Sequence, residues 1–102
     1  MFPIIYSYKN LNSTHKKFLQ DYFPKKMSRF KNLIKPFKRE ECRLEVKIEK
    51  FVTKAAYKVE LILHLPRERL MAAEDDHTIA EAIDLALDKL IIQLRKLVDR
   101  KQ

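Results

Sequence analysis

The residues able to do chemistry are few in this chain, and their spacing points away from catalysis. Asp75, Asp76 and His77 form a contiguous acid–imidazole run of the kind that holds a metal ion or relays a proton. The run stands directly before a predicted helix, where carboxylates favour the positive end of the dipole, so a structural role explains it. His15, His64 and His77 fall on separate predicted elements without ligand spacing. Cys42 falls on the inward face of a predicted strand, as a core thiol rather than a nucleophile or zinc ligand. No Ser/His/Asp arrangement is supported by more than the presence of the residue types. Glycine is absent, which removes P-loop and dinucleotide-binding loops, because their backbone positions tolerate little else. The expectation is a non-enzymatic protein without bound metal, cofactor or small-molecule substrate.

The basic residues carry more. The formal net charge is +8 over 102 residues, enough to attract a polyanion over many ångströms. Its distribution is uneven. Residues 1–40 hold ten Lys/Arg against Asp21 and Glu40, residues 41–77 hold seven against eight acids, and residues 78–102 hold five against four. Lys16, Lys17, Lys25, Lys26, Arg29, Lys31 and Lys35 lie along a predicted first helix, with Lys38 and Arg39 just beyond it. In helical projection Lys17, Lys25, Lys31 and Lys35 occupy the solvent side, while Lys26 and Arg29 fall nearer the apolar stripe and are expected to snorkel. On the last predicted helix Lys89 and Lys96 share an outer line, flanked by Arg95, with Arg100 and Lys101 at the tail. Two helices side by side on a sheet would merge these into one basic face. Such a face contacts phosphates rather than base edges and suits structured RNA read by shape. Ordinary solvation, and cations favouring a helix C-terminus, are the plainer explanations of the same residues.

The elements that must position these groups follow from periodicity. Ile4 to Tyr8 reads as a short first strand, and Asn10, Asn12, Ser13 and Thr14 as a turn and N-cap. From Thr14 to about Lys35 apolar residues recur at helical spacing. Pro24 falls on the polar side of this stretch, which predicts a kinked helix, with two shorter helices as the alternative. Pro36 ends it, and Phe37 to Glu41 is a basic loop. Cys42, Leu44, Val46 and Ile48 alternate with charged residues, as do Tyr57, Val59, Leu61, Leu63 and Leu65 with Lys58, Glu60, Ile62 and His64; both tracts are half-buried strands. Arg69 to Ala73 is a weaker strand of the same meander, closed by an acidic bend. Thr78 and Glu81 form a capping box for a helix whose stripe is Ile79, Ile83, Ala86, Leu87, Leu90, Leu94 and Leu97. Leu85 and Ile92 project away from that stripe and are expected to pack on the first helix, or else to form a small contact patch. The order is β-α-β-β-β-α: an α+β two-layer sandwich, a four-stranded sheet with two helices on one face, in a single domain over 1–102.

The run AIDLALDKLIIQLRK (82–96) after the acidic bend (73–76), preceded by YKVELILHLP (57–66) and LEVKIEK (44–50), resembles the hibernation-promoting factor family, the ribosome-associated inhibitors also called sigma-54 modulation proteins. Ala82, Ile83, Asp84, Asp88, Lys89, Leu90, Gln93, Leu94 and Lys96 match the family's pattern in the last helix, and the likeness implies that Lys89 and Lys96 face ribosomal RNA. Ala80 replaces a usual aromatic, Ile92 a frequent basic residue, and Leu97 and Val98 thin the basic tail. The last helix is thus less basic than usual in the family, and the gripping charge has moved to residues 9–39.

The resemblance implies the same sandwich and a protein that binds the small ribosomal subunit, blocks the mRNA and tRNA channel and holds ribosomes inactive under stress. It also implies a short form without the dimerisation domain of long members, monomeric off the ribosome. One cysteine, no stretch of about 20 apolar residues and an N-terminus without a basic n-region or cleavage site fit a cytoplasmic protein with no membrane partner. The alternative is a protein-interaction or dimerisation module on the same fold.

Overall fold

Alternation of apolar and charged residues builds the middle of the sheet, and the helices close over its apolar side. A computed structural model describes residues 3–101, with the side chains of Lys31, Arg39 and Lys101 outside the described part. The strands are β1 (Ile4–Lys9), β2 (Arg43–Lys50), β3 (Tyr57–Leu65) and β4 (Glu68–Asp76). They lie in the order β1-β2-β3-β4, with β1 parallel to β2 and the remaining pairs antiparallel. The helix between β1 and β2 allows the parallel pair, and tight connections make the meander. The β3–β4 hairpin turns on Pro66 and Arg67, where Arg67 takes φ 67°, the left-handed conformation such a turn demands and glycine usually supplies.

The inward residues Leu44, Val46, Ile48, Val59, Leu61 and Leu63 are at most 1% exposed. They meet α3 (Ile79–Lys101), whose predicted stripe is buried throughout, with Ala82 and Ile91 beside it. Each fully buried leucine is worth about 1.5–3 kcal/mol of transfer free energy, so this interface dominates the fold. Thr78 starts α3: its Oγ1 accepts from the Glu81 N–H at 3.1 Å.

The first helical stretch departs from a single kinked helix. α1 (Ser13–Lys26) gives way to a 3-10 turn over Met27–Phe30 and a last turn, α2 (Lys31–Ile34). Asn12 caps α1, its side chain accepting from the His15 N–H at 2.8 Å. Pro24 offers no N–H to the Gln20 carbonyl, and three residues later the Met27 N–H reaches both Phe23 and Pro24 carbonyls, tightening the spiral toward three residues per turn. That period sets Met27 and Phe30, three apart, both fully buried on the core side. The two-helix alternative is thus nearer the structure than the kink.

The acidic bend expected at 73–76 is instead strand. β4 runs to Asp76, paired throughout with β3, and Asp75 is a strand residue 3.4 Å from Lys54. Asp76 accepts from the His77 N–H at 2.7 Å, and only 77–78 bend. Cross-strand pairing outweighs the low strand propensity of aspartate here. Leu85 and Ile92 do not pack on the first helix: they are 41% and 54% exposed, because Asp84 and Asp88 occupy the side of α3 that faces it.

Candidate nucleic-acid interface

α1 and α3 run side by side, and their seam is polar. The Tyr22 hydroxyl donates to Asp84, 3.1 and 3.3 Å from its two carboxylate oxygens. Lys26 Nζ lies 3.5 Å from Asp84 Oδ1 and 5.1 Å from the centroid of the Tyr22 ring. The Tyr22 hydroxyl, then the Asp84 carboxylate, hold the Lys26 ammonium above the usual lysine range. One turn further, Arg29 Nη2 donates to Asp88 Oδ1 at 2.6 Å. Of the twelve basic residues singled out from the sequence, these two therefore already have carboxylates, and so does Lys89, paired with Glu74 of β4.

The others present themselves differently. Lys16 lies over the Tyr8 ring, 5.4 Å from its centroid. Lys17 and Lys25 are exposed on α1, Lys35 and Lys38 on the segment after α2, and Arg95 and Lys96 near the C-terminal end of α3. None of these six has a carboxylate within 4.0 Å among the described residues. A lysine without a nearby carboxylate keeps its full charge for a phosphate. An exposed pair such as Arg29–Asp88 is worth only about 0–1 kcal/mol, so a phosphate can compete for its cation. The structure thus sorts the predicted set into open cations, cations already shared with carboxylates at the seam (Lys26, Arg29) or on β4 (Lys89), and Lys31 and Arg39, whose side chains lie outside the described part.

Sequence reasoning sets Lys26 and Arg29 near the buried stripe without identifying their partners. A signal exists: Asp84 and Asp88 stand four residues apart, one helical turn, beside an apolar stripe. Gln93 has a role the sequence does not hint at. Its Nε2 donates to the Met71 carbonyl at 2.7 Å, covering part of the open edge of β4 and tying α3 to it.

Among the described residues no group of three or more His, Cys, Asp or Glu is placed to hold a metal ion, and no helix is long and apolar enough to cross a membrane. His15, His64 and His77 stand apart: His15 Nε2 lies 3.3 Å from the Tyr57 hydroxyl, His64 Nε2 lies 3.6 Å from Glu45, and His77 Nδ1 lies 3.3 Å from the Ala55 carbonyl.

Comparison with known proteins adds four observations. A family model described as sigma 54 modulation protein / S30EA ribosomal protein matches residues 4–102. The fold is similar to the N-terminal domain of Protein Y from Thermus thermophilus, with TM-score 0.61 and 18% identity, over 95% of this chain and 97% of that one. It is also similar to a ribosomal subunit interface protein from Coxiella burnetii, with TM-score 0.61 and 16% identity, over 94% of this chain and 97% of that one. No curated protein sequence matches this chain significantly.

Proposed function

The chain belongs to the sigma-54 modulation protein / S30EA ribosomal protein family, and from that premise we propose that it binds the small ribosomal subunit through rRNA phosphates, occupies the mRNA and tRNA channel and holds the ribosome inactive. The observation that carries this reading is the run of open cations, Lys17 and Lys25 on α1 and Lys35 and Lys38 just after α2, in the first two-fifths of a +8 chain. A phosphate backbone recruits such a run without base-specific contacts. Lys96 and Arg95 extend it onto α3, while Lys16, Lys26, Arg29 and Lys89 join by exchanging weak internal partners for phosphates. The protein acts as a cytoplasmic monomer and as an obstacle: the reading assigns it no reaction, metal or cofactor.

The test is cosedimentation of the chain with small ribosomal subunits across a salt series. With about six phosphate contacts, counterion release lowers affinity by roughly three orders of magnitude between 50 and 200 mM salt. Absence of binding at the lowest salt rejects the reading. A second reading, a dimerisation module using the outer line of α3, draws on the exposure of Leu85 and Ile92. Sedimentation of the pure protein separates the two.

A further inference from the structure

The face of the sheet turned away from the helices carries a second group of cations, in a region outside the helical interface. The β2–β3 register sets Arg43 opposite His64, and the β3–β4 register sets His64 opposite Arg69. The three form one transverse row on the open face, since their neighbours Leu44, Leu63 and Leu65 are buried on the other. With strands about 4.8 Å apart, the two arginine Cα atoms stand roughly 10 Å from each other. Arg67, at the hairpin tip, adds a cation beside the row.

Elsewhere on this face most cations, Lys58 excepted, have a carboxylate within 4.0 Å among the described residues. Lys47 lies 3.9 Å from Glu60, Lys9 lies 3.7 Å from Glu49, and Lys54 lies 3.4 Å from Asp75. The Arg43–His64–Arg69 row differs. Glu45 approaches the His64 ring at 3.6 Å, too far for a hydrogen bond. Arg43, Arg67 and Arg69 are exposed and have no carboxylate within 4.0 Å among the described residues. The next row along the strands runs Ile5–Glu45–Ile62–Met71: Ile5 and Met71 at its ends are 46% and 44% exposed, Ile62 is only 6% exposed although it lies on the open face, and Glu45 separates Ile5 from Ile62.

We propose that the open sheet face is a second RNA-binding surface, on which Arg43 and Arg69, bracketing His64, take backbone phosphates of a single strand while the exposed Met71 and, across Glu45, Ile5 meet its sugar and base faces. Guanidinium forks match phosphate geometry, and exposed apolar side chains beside a cationic row complement a strand whose phosphates and bases lie on opposite sides. The +8 charge of the chain favours a polyanion over a peptide with isolated carboxylates. With the helices gripping one RNA segment and the sheet another, the molecule is a spacer between two nucleic-acid walls, about 21 Å across its short axes. Only the ribosomal arm of the following test rests on the function proposed above.

The test is an NMR titration of the full chain with decauridylate, following the side-chain Nε–H signals of Arg43 and Arg69 and the His64 ring. Saturable shifts at all three are expected in the wild type and equally in Lys17→Gln/Lys25→Gln, with loss of the His64 shift in Arg43→Gln/Arg69→Gln. Silence at the three signals overturns the proposal. So do shifts that vanish in Lys17→Gln/Lys25→Gln, or equal shifts with hexaglutamate at the same concentration, which would mark an acidic-peptide site instead. On small subunits, Arg43→Gln/Arg69→Gln is expected to give a log–log salt slope shallower by about 1.4, two single-strand phosphate contacts. An unchanged slope with a wild type that binds refutes the sheet surface alone. A wild type that does not bind removes the ribosomal reading, and the titration still decides the row.

Discussion

Arg29, on the 3-10 turn after α1, donates to Asp88 of α3 at 2.6 Å, and Lys26 meets Asp84 one turn earlier. The two acids belong to the last helix and the two cations to α1 and the 3-10 turn that continues it, so the seam between them consumes part of the positive charge that the sequence displays. In the function proposed above, the surface left for RNA is consequently shifted toward Lys17, Lys25, Lys35 and Lys38.

The Arg29–Asp88 pair is exposed on both sides, 42% and 55% by side chain, which limits its worth. A double-mutant cycle with Arg29→Ala and Asp88→Ala, read by urea unfolding, is expected to give a coupling of about 0.2–1 kcal/mol. A coupling above 2 kcal/mol would show that the seam is a main support of the fold.

Freeing the seam cations has the opposite sign for binding and for stability. Asp84→Asn/Asp88→Asn removes two negative charges and leaves Tyr22, Lys26 and Arg29 only a neutral amide oxygen as acceptor. The melting temperature is expected to fall, while affinity for small subunits at low salt rises and its salt dependence steepens. Weaker binding in this variant would mean that the acids orient Lys26 and Arg29 for RNA.

Removing the open cations should leave the fold intact. Lys17→Gln, Lys25→Gln, Lys35→Gln and Lys38→Gln are exposed changes expected to alter stability by no more than about 0.5 kcal/mol each. Combined, they should flatten the salt slope by about three units and weaken small-subunit binding more than Lys89→Gln/Lys96→Gln does. Cosedimentation of the two variants side by side decides; the reverse order places the grip on α3.

Cys42 is 2% exposed, with Sγ 3.2 Å from the Lys38 carbonyl. Burial, then the carboxylates of Glu41 and Glu40, push its thiol above the ordinary cysteine range. Little thiolate therefore exists at neutral pH, and reactivity returns only when the chain opens. Ellman's reagent should label the native protein at least about a hundredfold more slowly than protein in guanidinium; comparable rates would place the thiol at the surface.

Leu85 and Ile92 are only half covered, so their replacement by Glu should cost less than about 1 kcal/mol each, whereas Phe23→Ala in the core should cost about 3–5 kcal/mol. Sedimentation velocity should give a monomer for the wild type and for Leu85→Glu/Ile92→Glu. A wild-type dimer dissolved by that variant would establish the outer line of α3 as an interface.

Much of the architecture is legible in the sequence because it rests on short-range period. Leu44 to Ile48 and Val59 to Leu65 alternate as strands must, and Ile79 to Leu97 recur as a buried helical stripe must. Errors arise where a distant partner overrides local preference. Asp75 and Asp76 read as a bend, yet Lys58 and Tyr57 of β3 pair them into β4. Leu85 reads as packing on the first helix, yet Asp84 holds that side through Tyr22 and Lys26.

The amino-acid sequence by itself determines the element order, the apolar faces, the concentration of positive charge in the first two-fifths of the chain and the absence of glycine-built phosphate loops. Tertiary structure alone decides which of those charges remain open. Lys26 and Asp84 are 58 residues apart, and Arg43 meets Arg69 only through His64 in the intervening strand. Such neighbours depend on strand register and on how two helices settle across a sheet, and both are outcomes of packing the whole core rather than of any local run of residues.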